Sequence, residues 1–142
     1  MAIFQNREEV EAILGGFFEQ LRTVDQAYLI YQIGGSVEFL FRKPQARIRW
    51  IPKPQDAPYP FEVAYGDHGD PILLTFEQDA DTAHRFWLGR VNLQQALARQ
   101  QVLAQGPLSR AMKLIPHLDT IYPLYHRYLR EIQRSDLLEA VR

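Results

Sequence analysis

Residues 79 to 118 read DADTAHRFWLGRVNLQQALARQQVLAQGPLSRAMKLIPHL, and the order of parts in this stretch decides the fold. Asp79 or Asp81 can cap a short helix that carries Phe86 and Trp87 and that Gly89 can end. Asn92, with Gln95 three positions on, makes a second capping pair for another short helix. Val102 to Gln105 supplies a strand that Gly106 closes, and an apolar helix follows around Ala111, Met112, Leu114 and Ile115. The stretch is entered from an alternating apolar strand, Ile72 to Phe76. It contains no catalytic signature.

Upstream, Val10, Ile13, Leu14, Phe17, Phe18 and Leu21 recur at the spacing that lines one face of a helix. Asn6 can cap that helix, with Glu9 reaching back to the Asn6 amide, and Gly15 and Gly16 inside it predict an unusually close neighbour. Period-two runs at Tyr28 to Ile33, Val37 to Phe41 and Arg47 to Ile51 predict a meander of three strands. Val37, Phe39 and Phe41 share a face with Ile48 and Trp50, whereas Glu38, Arg42, Arg47 and Arg49 point the other way, toward water. Pro52, Pro54, Pro58 and Pro60 mark an extended surface loop, and Phe61 to Tyr65 is a further strand beyond it.

This succession resembles the sterol carrier protein type-2 family. Asp79, Phe86, Gly89, Asn92, Gly106 and Ala111 to Leu114 occupy the places of the family pattern, and the resemblance covers roughly residues 29 to 118. It implies an α/β (α+β) fold: a mostly antiparallel sheet of five strands, or six if the Phe61 strand is an elaboration, covered by helices and enclosing an apolar cavity. It also implies non-catalytic carriage of a sterol or fatty acyl chain. Carried over by position, the cavity walls include Phe76, Phe86, Leu97, Met112 and Ile115. Facing arguments add Trp50, Trp87, Tyr122 and Tyr125. The alternative is an accessory domain that uses its apolar patch to form a homodimer or to dock onto an enzyme.

The whole chain is consistent with that expectation. Its 142 residues fit one domain, 1 to 142, able to bury a core without staples. Cysteine is absent, which excludes disulfides, thiolate metal sites and a Cys nucleophile. Sixteen basic against seventeen acidic residues, net charge −1, give no field that would gather nucleic acid. The apolar runs fall far short of the ~20 residues that span a bilayer. The first ten residues lack a signal-peptide pattern, and the chain ends Ala-Val-Arg instead of Ser-Lys-Leu, so a cytoplasmic location is expected.

No G-x-S-x-G elbow or Walker loop is present. The histidines, His68, His84, His117 and His126, have no metal-ligand spacing, so neither metal nor cofactor is expected. The Asp67-His68-Gly69-Asp70 cluster reads as turn chemistry. Arg127, Arg130 and Arg134 form a stripe suited at most to transient contact with a membrane surface. Leu118 to Ile132 is apolar and aromatic on one side, and Pro116 and Pro123 interrupt its backbone bonding, which predicts a lid that moves as a unit.

Overall fold

The computed structural model describes residues 2 to 67 and 69 to 139. Alternation of apolar and polar side chains produces strands β1 (Val37–Arg42), β2 (Gln45–Pro52), β3 (Phe61–Tyr65), β4 (Leu74–Gln78) and β5 (Leu103–Gln105). They form one five-stranded sheet in the order β3-β2-β1-β4-β5. Three neighbouring pairs are antiparallel, and β1 and β4 run parallel. The register sets Phe39 opposite Ile48 on one side and Phe76 on the other, so the inward face becomes a continuous apolar surface. Val37, Phe39, Phe41, Ile48, Trp50, Phe61 and Phe76 are all buried on it.

The N-terminal helical rod covers that face. It consists of α1 (Arg7–Val10), a π-turn over Glu11–Gly15 and α2 (Gly16–Leu21). The Asn6 carboxamide accepts from the Glu9 amide at 2.9 Å, as the capping pattern predicts. The Glu9 carboxylate reaches one residue further than expected and accepts from the Gln5 amide at 2.9 Å. Every apolar position of the predicted stripe is buried.

Three expectations need correction. Tyr28 to Ile33 is not a strand: Asp25–Tyr28 is a 3-10 turn that runs into α3 (Leu29–Ile33). Five apolar residues and Gln32, without long alternation, fit either period, and the decision falls to the end of the run. Gly34 stands at φ 86° and its amide bonds the Ile30 carbonyl at 2.9 Å, which ends a helix instead of turning a hairpin. Arg110 then donates to the freed Ile33 carbonyl at 2.8 Å.

The second concerns the outer sheet face, which is not uniformly wetted. Glu38 and Arg49 are only 3% and 2% exposed. They are direct cross-strand partners and bond at 2.9 Å, so each charge is covered while neutralised by the other. Arg47 and Arg42 remain at the rim.

After β4 come α4 (Ala80–Trp87) and α5 (Leu93–Ala98). Asp79 holds the N-cap position of α4, yet its side chain makes no cap bond and instead faces Arg42 at 3.4 Å. Asp81 accepts from the Ile3 amide at 3.1 Å, tying the N-terminus down, and Asn92 caps α5 through the Gln95 amide at 3.0 Å. The C-terminal part is α6 (Leu108–Ala111), a 3-10 turn over Met112–Leu114, α7 (Ile115–Glu131) and α8 (Asp136–Glu139).

The lid expectation for this part is also revised. Pro116 lies in the first turn of α7, where its missing N–H breaks no bond, and α7 runs on through Pro123. Leu118, Ile121, Tyr125, Tyr128 and Leu129 are buried, and the Tyr125 ring sits 4.8 Å from that of Phe17. A helix embedded to this depth is part of the core. The arginine stripe is largely paired, Arg127 with Glu131 and Arg134 with Glu9 and Asp136.

Candidate functional site

Where the sheet meets α4, α5 and the 3-10 turn, a small space is left. It is lined by Phe39, Phe76, Gln78, Phe86, Leu93, Val102 and Leu114 and has a volume of about 10 Å³. That is room for a single water, against the ~300–1,000 Å³ of a small-molecule pocket. The apolar cavity that the sequence leads one to expect is reduced here to a narrow seam. Aromatic packing narrows it: Phe39 stacks on Phe76 at 5.8 Å and meets Trp50 at 4.9 Å, while Phe86 meets Trp87 edge-on at 4.9 Å.

A second space lies just outside. This groove, about 190 Å³, is lined by Asn92, Leu93, Gln94, Ile115, Leu118, Asp119 and Tyr122. Leu93 belongs to both linings, and the Phe86 ring inside approaches Tyr122 outside at 6.3 Å. The wall between the two is thus one side chain thick at Leu93. Burial pushes the pKa of the Tyr122 phenol up, and the nearby Asp119 carboxylate adds to the shift, so the groove wall keeps a neutral hydroxyl.

The residues singled out from the sequence divide among these places. Phe76 and Phe86 line the inner seam, and Ile115 and Tyr122 line the outer groove. Trp87 and Tyr125 are in neither lining; both are fully buried against Phe17, in the layer under α2. Leu97 and Met112 are half-buried and line neither space. Sequence reasoning missed Phe39, Gln78, Leu93, Val102 and Leu114. Carrying the period-two pattern of the β4 strand two residues beyond Phe76 would have found Gln78, and the position after the Asn92 cap would have found Leu93.

His84 is the buried titratable group of this region. Its Nδ1 lies 2.7 Å from the Tyr125 hydroxyl and its Nε2 lies 2.8 Å from the Leu137 carbonyl. The carbonyl can only accept, so Nε2 carries the proton and Nδ1 accepts from Tyr125. Burial pushes the His84 pKa below its ordinary value, with the Leu137 bond opposing. With both nitrogens engaged, the ring is a tie between α4, α7 and α8. Among the described residues, no group of three or more His, Cys, Asp or Glu could hold a metal ion. No described helix is long and apolar enough to cross a membrane.

Comparison with solved structures defines the fold class. The sterol carrier protein domain 2 of Helicoverpa armigera superposes with a TM-score of 0.56 at 19% identity, over 82% of this chain and 87% of that one. A UbiJ-SCP2 ubiquinone synthesis protein gives 0.55 at 12% identity, over 81% and 89%. The chain also matches the sec-alkylsulfatase Pisa1 of a Pseudomonas species, TM-score 0.56 at 14% identity, over 74% of this chain but only 16% of the sulfatase. The chain thus spans about a sixth of that enzyme's length. No family model matches the sequence, and no curated protein matches it. The fold is that of the sterol carrier protein type-2 domains, with five strands in a mostly antiparallel sheet.

Proposed function

We propose that the chain binds and carries a lipid-like molecule, without catalysing a reaction, between the inward sheet face and helices α4 and α5. The observation that carries this reading is the one-residue wall at Leu93 between an apolar seam and an open groove. The seam holds no lipid as it stands, so binding requires displacement of α5. That helix is six residues long, buries Leu93 and Ala96 and packs Leu97 only partly against the core, which suits it to local opening. Apolar ligand surface entering there leaves water with a gain of roughly 25 cal/mol per Å², and this offsets the cost of parting the aromatic walls. The similarity to sterol carrier domains supports the choice of ligand class. The reading is of one folding unit that works in the cytoplasm and touches a membrane surface at most in passing.

Titration with a fluorescent long-chain lipid tests the proposal. Saturable binding of one molecule per chain at micromolar or better affinity is expected, with energy transfer from Trp87 and Trp50. Absence of saturable binding across sterol, alcohol and acyl probes would overturn it.

A second reading, accessory action on a partner, is favoured by the similarity to the UbiJ-SCP2 protein and by two exposed apolar side chains, Tyr28 at 57% and Leu108 at 55%. A stable dimer in solution together with absent lipid binding would select it.

A further inference from the structure

Gln78 is the third inward-facing residue of β4. Leu74, Phe76 and Gln78 are buried while Thr75 and Glu77 between them are partly exposed, so the pleat aims the Gln78 side chain at the helices. It lines the inner seam beside Phe39, Phe76, Phe86, Leu93 and Leu114, and it is 4% exposed. Among the described residues its carboxamide makes no hydrogen bond, and its polar atoms are not fully shut off from solvent. A primary amide offers two donors and one acceptor, and buried polar side chains nearly always find partners. A trapped water answers this need poorly. The seam, about 10 Å³, barely admits one, and a buried water requires two to four polar neighbours where Gln78 is the one polar side chain in the lining.

We infer that Gln78 sets the specificity of the interior site by hydrogen-bonding a neutral hydroxyl or carbonyl at one end of an otherwise apolar lipid. The inference rests on the carrier function proposed above and adds the chemistry of the ligand's polar end. A carboxylate does not match: no Lys, Arg or His lines the seam, and a desolvated charge costs far more than one amide N–H returns. Asp119 on the groove wall adds repulsion for an anion on the way in. A hydroxyl or carbonyl brings little desolvation cost and occupies an amide that is otherwise unbonded.

The test uses a long-chain alcohol and the fatty acid of the same chain length, each competing with a fluorescent neutral lipid. Wild type, Gln78→Leu and Gln78→Met are compared. Wild type is expected to prefer the alcohol by tenfold or more. Both variants should lose about five- to tenfold in alcohol affinity, the worth of one hydrogen bond, with fatty acid affinity little changed. Their thermal midpoints should stay close to that of wild type, because the Gln78 side chain makes no hydrogen bond within the fold. Equal affinity of wild type for alcohol and acid, unchanged in the variants, would overturn the role of Gln78 and leave the carrier function standing. Failure of wild type to bind either probe would overturn both. Variants with lowered midpoints and a uniform loss for all probes would make Gln78 a structural residue and sink the inference.

Discussion

The Tyr125 hydroxyl donates to His84 Nδ1 across 2.7 Å, while His84 Nε2 donates to the Leu137 carbonyl at 2.8 Å, so one imidazole joins three helices. Burial holds the folded ring neutral by lowering its pKa, whereas the unfolded chain takes up a proton near pH 6.5. Below that pH the unfolded state therefore binds more protons, and stability falls with falling pH. The loss attributable to His84 should grow as the pH falls from about 7.5 to about 5.5, through the unfolded value. Urea midpoints of wild type and His84→Gln across this window measure it. A parallel decline in both proteins would remove His84 as the source.

Gly16 lies against the Tyr128 hydroxyl, which occupies the place where a β-carbon would stand, and that hydroxyl also donates to the Ala12 carbonyl at 3.1 Å. Gly16→Ala should cost about 1–3 kcal/mol through overpacking. In a Tyr128→Phe background the added methyl meets hydrogen instead of oxygen, and the cost should fall by at least half. A double-mutant cycle in urea reads the coupling. Additive effects would show that the two residues do not compete for the same space.

Glu38 and Arg49 form a covered pair on the outer sheet face. Arg49→Met leaves Glu38 with Arg47 at 3.7 Å as its remaining cationic neighbour and should destabilise by about 3 kcal/mol. Replacing both, Glu38→Leu with Arg49→Met, should recover most of that loss, because the desolvation cost of both ions goes with the attraction. Chemical denaturation of the three variants decides it. A double variant as unstable as the single one would mean that the pair is worth more than its packing volume.

Helix α7 buries Leu118, Ile121, Tyr125, Tyr128 and Leu129. At ~1.5–3 kcal/mol for each buried side chain, their sum rivals the 5–15 kcal/mol that holds a typical domain together. A chain ending at Leu114 should accordingly lose cooperative thermal unfolding. If it still unfolds cooperatively, α7 is a detachable cover after all.

Much of this fold was legible in the sequence because its periodic signals are strong. The stripe Val10 to Leu21, the alternation Val37 to Phe41 and the Asn92–Gln95 cap each appear in the structure where the pattern sets them. Tyr28 to Ile33 was misjudged because a short apolar run carries no period of its own, and only the left-handed turn at Gly34 and the Arg110 bond to Ile33 settle it. The burial of Glu38 and Arg49 depends on register, which alternation does not encode. Candidate site residues were legible only in part. Facing arguments find buried aromatics such as Trp87 and Tyr125, yet a buried aromatic fills a core as readily as it lines a pocket. Gln78 was hidden because a polar residue at an inward position breaks the very pattern used to trace the strand.

The central claim is that a lipid enters between the sheet and α5 by displacing Leu93. Photo-crosslinking with a diazirine-bearing long-chain alcohol, followed by peptide mass spectrometry, tests it most directly. The account predicts adducts on Phe76, Phe86, Leu93 and Leu114, competed away by unlabelled lipid. Adducts confined to exposed Tyr28 and Leu108, or adducts that unlabelled lipid does not displace, would contradict it.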